Sequence, residues 1–420
     1  MQSRSNFNIA IMTPKRKIIN DPVYDGFLSV DDPVILSVIE HPFFQRQRRI
    51  KQLGLTHLVY PGAMHTRFSH MLGALNLMGR ALNILRQKGI AVSDDEVRAA
   101  RLAILLHDIG HGPFSHTSER VLVNVPHEQI TEMFIERMID EWRSKPDDSH
   151  SMAIAESLTT ALQIFRNKYH RHFLHQLVSS QLDVDRLDYL GRDSFFTGVS
   201  EGIVGTDRII SMFNVHDDEL VIDEKGIYSV EKFIISRRLM YWQVYMHKTV
   251  IAADQVLLAI LRRVRDLLEN GTFGVPELPM PLGLFLSHHY TADDFRRDPS
   301  LLERFAELDD DDIMVAVKHW RHSPDKVLGR LCYMLVNRCL PAIKLSSTRP
   351  DPIEVQGDDA YFSGTGILRN RSYDFADQEI KVLFKDGRCV SISEASDQLD
   401  RHFLEKQVVK YYSYRPKENR

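Results

Sequence analysis

The hydrophobic positions of this chain fall mostly at helical spacing. Phe68, Leu72, Leu75, Met78, Leu82 and Leu85 recur every three or four residues, which predicts a long amphipathic helix beginning near His65. Val97 to Leu106 forms a second apolar run, and Gly110, Gly112 and Pro113 stop it. Asp31 and Asp32 before Pro33 mark a helix start that runs through Ile35, Val38 and Ile39. Asp183 reads as an N-cap whose oxygen takes the Arg186 amide, so that positions 185, 189 and 193 stack on one helix face. Asp188 and Arg192 on that helix read as a simple i,i+4 ion pair.

Further along, Glu219 to Val230 alternates and predicts a hairpin turning at Glu224-Lys225-Gly226, and Glu231 to Glu269 reads as one long helix closed by Asn270-Gly271. Pro276 to Pro281 marks a boundary. Beyond it come helices from about Asp312 and Asp325, a Pro/Gly-rich stretch from Pro341 to Gly366, a hairpin around Lys385-Asp386-Gly387, and a last helix begun by Ser393. The acidic run Asp309 to Asp312 reads as a helix N-terminus satisfied by its own carboxylates.

Composition changes this picture little. With 420 residues, 43% of them hydrophobic, the chain can bury a large core as one large or two ordinary domains. A net charge of -4 gives no electrostatic case for nucleic acid. The three cysteines, Cys332, Cys339 and Cys389, form no CxxC motif and suit reduced thiols in cytoplasm. No secretory segment is visible, and nowhere do about 18 consecutive apolar residues suggest a membrane span.

The chemistry lies in four residues able to close on one divalent ion: His70, the adjacent His107 and Asp108, and Asp185. Imidazole nitrogen and carboxylate oxygen are the usual ligands of a hydrolytic metal, and four of them leave positions open for water and substrate. His107 and Asp108 follow Ile104-Leu105-Leu106 at a helix C-terminus, whose partial negative charge favours a cation. The donor set suits Fe, Mn, Zn or, less naturally, Mg. Arg67, a turn from His70, and Arg186, next to Asp185, are placed to meet phosphate charge. His111, His116 and His127, with Glu119 near, are candidates for proton transfer, although His127 reads equally well as an exposed helix-start residue.

In this order, the four candidate ligands resemble the pattern of the HD-domain phosphohydrolases. The stretches Phe44 to Gly54, Tyr60 to His65, His107 to His116 and Asp183 to Arg186 are similar to the deoxynucleoside triphosphate triphosphohydrolase branch, which includes enzymes carrying a sterile-alpha-motif domain for which this sequence has no room. The resemblance runs from about Lys17 to about Ile260. It implies a mainly α fold: an HD-domain helical core with short β-hairpins and a smaller mixed α+β C-terminal lobe. The corresponding division is a flexible tail over 1–16, the phosphohydrolase domain over 17–270 and the lobe over 271–420.

The resemblance also implies roles. Water would attack the α-phosphorus of a deoxynucleoside triphosphate, releasing deoxynucleoside and tripolyphosphate. Glu119 and His127 would assist that water, His111 would contact the α-phosphate region, and His116 would protonate the leaving 5′ oxygen. Glu119 stands where the family has an Asp. Arg67, Arg186 and Arg237 would meet phosphate, Tyr189 would line the substrate site, and Leu53 and Tyr245 would crowd the 2′ position while Gln52 and Asp193 bond the 3′-hydroxyl. An activating guanine nucleotide would sit between subunits of a homo-oligomer at Glu40, Gln45, Arg46 and Arg48, with Glu40 again replacing an Asp; a basic helix face on the surface is the competing reading of that segment. Two alternatives to the triphosphohydrolase stay open: an HD phosphohydrolase acting on nucleoside monophosphates or cyclic nucleotides, and a nucleotide sensor without turnover.

Overall fold

The computed structural model describes residues 16–24, 26–272, 281–353, 357–371, 373–375 and 378–417, apart from the side chains at 116 and 120. Of the expected tail over 1–16, residues 1–15 lie outside the described residues, as do 276–280 of the expected boundary over Pro276 to Pro281.

Helices form the core, and the predicted caps start several of them. The helix Pro33–Glu40 is capped by Asp32, whose side chain accepts the Val34 and Ile35 amides. Arg67–Gln87 packs against Asp94–Leu106 and against Val184–Thr197, burying Met71, Leu75, Met78 and Leu82 at complete or near-complete exclusion of water. Asp183 caps the last of these as expected, its Oδ1 accepting the Arg186 amide at 2.7 Å. The helices His127–Arg143 and Ser149–Phe165 close the far side of the bundle.

Among the described residues, three small sheets accompany the helices. Strands β1 (Lys17–Asn20) and β2 (Phe27–Val30) form an antiparallel pair. Strands β3 (Phe213–His216) and β4 (Glu219–Asp223) pair as a hairpin and continue into β7 (Lys381–Leu383) and β8 (Cys389–Ser391). Strands β5 (Ala342–Ser346), β6 (Gly364–Asn370) and β9 (Val408–Arg415) form a sheet with β9 in the middle. The architecture is the expected one, mainly helical with short hairpins and a mixed α+β C-terminal portion. β4 and β7 pair in parallel, with Val221 opposite Lys381, so the C-terminal portion extends a sheet begun before residue 270.

Four local expectations are corrected. The 213–223 hairpin turns at Asp217-Asp218, which adopt φ of 51° and 61° as a tight two-residue turn requires, and Glu224–Gly226 is instead a 3-10 turn leading into a helix. The long pattern from Glu231 breaks: a helix over Ile227–Met240 runs into a π-turn at Tyr241–Tyr245, and a second helix over Lys248–Glu269 leaves at a 55° bend. Apolar periodicity continues across the break and hides it. The last element is β9, reached through two short helices, Ile392–Ala395 and Arg401–Glu405. The acidic run is only partly self-satisfied. Asp309 and Asp312 form a capping box at the start of Asp310–Trp320, but Asp310 is wholly buried and accepts the amides of Phe114 and Lys51. No single helix among the described residues is long and apolar enough to cross a membrane; the bent pair just described passes that test only jointly.

Candidate active site

The four candidate ligands converge from two helices, which carry His70 and Asp185, and from the turn that ends Asp94–Leu106, which carries His107 and Asp108. Asp185 Oδ1 lies 3.0 Å from His70 Nε2 and 3.3 Å from His107 Nε2, and those two nitrogens are 3.4 Å apart. Asp108 joins them at 3.5 Å from His107 and 3.9 Å from His70. The ligand atoms of His70, His107 and Asp185 all lie within 4.8 Å of one another, an arrangement that suits a divalent cation, while Asp108 stands between them and a second such group that it forms with His111 and His127.

The orientation of both rings is fixed from behind. His107 Nδ1 lies 2.7 Å from the Ile104 carbonyl, and His70 Nδ1 lies 2.7 Å from Asp188 Oδ2. Each acceptor holds a proton on Nδ1 and turns Nε2 toward the cluster. Burial pulls the His70 imidazole down, but the Asp185 and Asp188 carboxylates win and raise it to about 10. Burial likewise opposes the charge on Asp108 and Asp185, yet His107 and its neighbours hold both carboxyls below their usual range. A divalent ion would displace the protons that balance this negative charge.

A cavity of about 460 Å³ opens on the cluster. Of the predicted residues, Arg67, Asp108, His111, His127, Asp185, Arg186, Tyr189, Asp193, Tyr245, Gln52 and Leu53 line it. Arg67 is buried, bonded to Asp108 and to Ser115 Oγ at 2.7 Å. Arg186 is fixed by the Ser180 carbonyl at 2.7 Å and Asp183 at 3.2 Å. His111 and His127 stack at 3.8 Å, and Glu119 accepts His127 Nδ1 at 3.1 Å. Gly110 permits this approach, since a Cβ there would stand 2.2 Å from the His127 carbonyl oxygen. Burial, then the charge of Arg67, holds His111 well below the usual imidazole range, so it is neutral near pH 7.

At another part of the cavity, His65 Nε2 and the Tyr245 hydroxyl meet the two oxygens of Asp193 at 2.7 and 2.8 Å. A short bridge, with the Gln52 amide bonded to the His65 carbonyl at 3.0 Å, sets Gln52 beside them. Gln52 Oε1, at the cavity, and Arg237 Nε are buried without a hydrogen-bond partner among the described residues. Burial pushes the Tyr189 phenol up, and the charge of half-buried Arg237 pulls against that rise. The His116 side chain lies outside what is described.

Arg46 is only 1% exposed and donates to the carbonyls of Leu308 and His111 at 2.7 and 2.9 Å. Gln45 is bonded to the Ile39 carbonyl and to Arg48, while Glu40 is exposed beside Lys17. This segment is therefore not a uniformly exposed basic face, and Arg46 braces the fold behind His111.

Sequence reasoning did not single out Tyr241, Thr117, Asp254, His65 or Tyr24. The first three line the cavity, His65 holds Asp193, and Tyr24 donates to Asp188. Only His65 carried a signal, through its place in the Tyr60 to His65 stretch. Asp254 accepts from Thr117 Oγ1 at 3.1 Å, but burial outweighs that bond and raises its carboxyl from 3.8 to about 7. A folded-state value above the unfolded one means that the contribution to stability is complete below about pH 4 and is lost as pH rises through about 7. Asp254→Asn removes this loss, so thermal melts across that window should show the variant gaining on the wild type with rising pH. A gap that stays constant with pH would exclude this titration.

Residues 67–193 match the HD domain and residues 204–274 the HD associated region. The chain is 34% identical over 362 residues to YwfO of Bacillus subtilis, covering 86% of this chain and 78% of that protein. It superposes on a phosphohydrolase of known structure from Bacteroides thetaiotaomicron with a TM-score of 0.87 and 44% identity, covering 96% and 100% of the two chains. The human deoxynucleoside triphosphate triphosphohydrolase SAMHD1 is 29% identical over 294 residues, 62% of this chain and 46% of that protein. With this fold, this His/Asp cluster and these relatives, the chain belongs to the HD-domain phosphohydrolases, resembling their deoxynucleoside triphosphate triphosphohydrolase branch. That class is metal-dependent, and the clustered donors here fit a divalent ion.

Proposed function

We propose that the protein hydrolyses deoxynucleoside triphosphates to deoxynucleoside and tripolyphosphate. The observation that carries this reading is a single cavity that joins the His/Asp cluster and two fixed arginines to the Gln52, Asp193 and Tyr245 group. The similarity to SAMHD1 supports it.

His70, His107, Asp108 and Asp185 would hold the ion, which when bound supplies Lewis acidity and lowers the pKa of water. The chain's own residues do the rest. Arg67 and Arg186, held by Ser115 and by Asp183, face the phosphate charge without having to reorganise. His127, oriented by Glu119, is assigned the proton of the attacking water, and neutral His111 is assigned contact with the α-phosphate region. Attack at the α-phosphorus breaks its bond to O5′, and a proton must reach that oxygen; His116 is assigned this donation. Asp193 and Gln52 offer polar atoms to the 3′-hydroxyl, while Leu53 and Tyr245 narrow the space at 2′, a selection stronger than apolar fit alone.

Incubation with deoxynucleoside triphosphates, ribonucleotides, monophosphates and cyclic nucleotides in Mn, Fe, Zn and Mg tests the proposal. The expected product is intact tripolyphosphate, carrying oxygen-18 from labelled water on the phosphorus that was α. Orthophosphate or pyrophosphate as the first product would assign another phosphohydrolase activity, and nucleotide binding without turnover in every metal would make the protein a sensor.

A further inference from the structure

Behind His70 lies a buried polar network that an i,i+4 ion pair does not account for. Asp188 and Arg192 are both completely buried. Asp188 Oδ2 meets His70 Nδ1 at 2.7 Å and Arg192 Nε at 2.9 Å; its Oδ1 meets Arg192 Nη2 at 3.0 Å and accepts the Tyr24 hydroxyl. Four donors fill the roughly four acceptor sites of a carboxylate. Arg192 is held in turn by Asp21, at 2.8 and 3.2 Å. Asp21 and Tyr24 belong to the connection between β1 and β2, more than 160 residues away in sequence from Asp188.

The ligand helix makes room for this network. Gly73 sits one turn after His70, and a Cβ on it would stand 1.9 Å from Asp188 Oδ1 and 2.2 Å from Arg192 Nη2. An ionised carboxylate only accepts, so its bond to His70 fixes the proton on Nδ1 and leaves the Nε2 lone pair for an ion that Asp185, 3.0 Å away, would share.

We infer that Asp188 is the positioning residue of His70 and that Tyr24, by holding Asp188 from the N-terminal β1–β2 connection, sets the affinity of the His/Asp cluster for its divalent ion. The inference rests on the reading of His70, His107, Asp108 and Asp185 as metal ligands. Loss of a group that orients a ligating histidine commonly weakens metal binding about 10–100-fold. Tyr24→Phe, which deletes one hydroxyl, belongs at the lower end. Asp188→Asn, whose amide can also donate and so favour the wrong tautomer, belongs at the upper end.

The test titrates the purified full-length chain with Mn²⁺, reading free ion by electron paramagnetic resonance, and records the ring N–H protons of the Zn²⁺-loaded, histidine-labelled chain. Expected is weakening in both variants, with the His70 Nδ1–H resonance displaced in Tyr24→Phe and lost to exchange in Asp188→Asn. The His107 Nδ1–H resonance should stay in place as an internal control. Lowered thermal midpoints with unchanged Mn²⁺ affinity and an unchanged His70 resonance would mean a merely structural network and overturn the inference. A wild-type chain that takes up neither ion overturns the metal-site reading and the inference with it, whereas wild-type binding that neither substitution weakens overturns the inference alone.

Discussion

Asp185→Ala should reduce metal-dependent turnover by about 10³-fold or more while leaving the protein folded. Metal catalysis is worth several kcal/mol of transition-state stabilisation, and about 4 kcal/mol already corresponds to that factor. Asp185 is the donor that lies within 3.3 Å of both histidine nitrogens, so its removal takes a shared contact from the cluster. The helix survives because its start depends on Asp183, whose oxygens hold the amides of Arg186 and Ser180, each at 2.7 Å. Metal content by elemental analysis, circular dichroism and turnover together check this. A variant with full metal content and normal turnover would remove Asp185 from the ligand set.

Asp310→Ala is expected to cost about 3–5 kcal/mol of stability, the usual consequence of removing one partner of a buried, hydrogen-bonded charge. One oxygen accepts the Phe114 amide at 2.7 Å; the other accepts the Lys51 amide at 3.0 Å and lies 3.5 Å from its ammonium. Burial pushes this carboxyl up, and the bonds from Lys51 and Phe114 pull against that rise. Asp310 thereby ties together the loop after His111, where Phe114 has a φ of 54°, and the segment leading to Gln52. Turnover should fall with stability, because both segments line the cavity. Urea denaturation of Asp310→Ala beside Asp311→Ala gives the comparison, since an exposed surface substitution is worth about 0.5 kcal/mol or less. Equal midpoints for the two variants would show that Asp310 is not a buried tie.

Much of the helical framework was legible because its signals are local. An N-cap such as Asp183, Asp32 or Asp325 needs only a side chain and an amide two or three residues on. The apolar stripe from Phe68 to Leu85 needs only its own period to predict the helix that carries His70. Chain breaks inside an apolar pattern were not legible: Tyr241–Tyr245 changes backbone geometry without interrupting the hydrophobic sequence. Asp217-Asp218 lost to Glu224-Lys225-Gly226 as the expected turn because glycine is the stronger signal for positive φ, yet here the aspartates adopt it.

The site divides in the same way. The sequence by itself supplied the donor types, their order and the helices that bear His70, His107, Asp108 and Asp185, since residue chemistry and helical spacing are properties of short segments. Only the tertiary structure decided what surrounds each charge. Asp188 and Arg192 read locally as a simple i,i+4 ion pair, but packing excludes water from both and supplies His70, Tyr24 and Asp21 as partners. Arg46 read locally as part of a basic helix face, and packing buries it with two of its nitrogens donating to carbonyls behind the site. The worth of a charge depends on its burial and on its partners, and both are fixed by contacts between segments far apart in the chain, for which no local pattern exists.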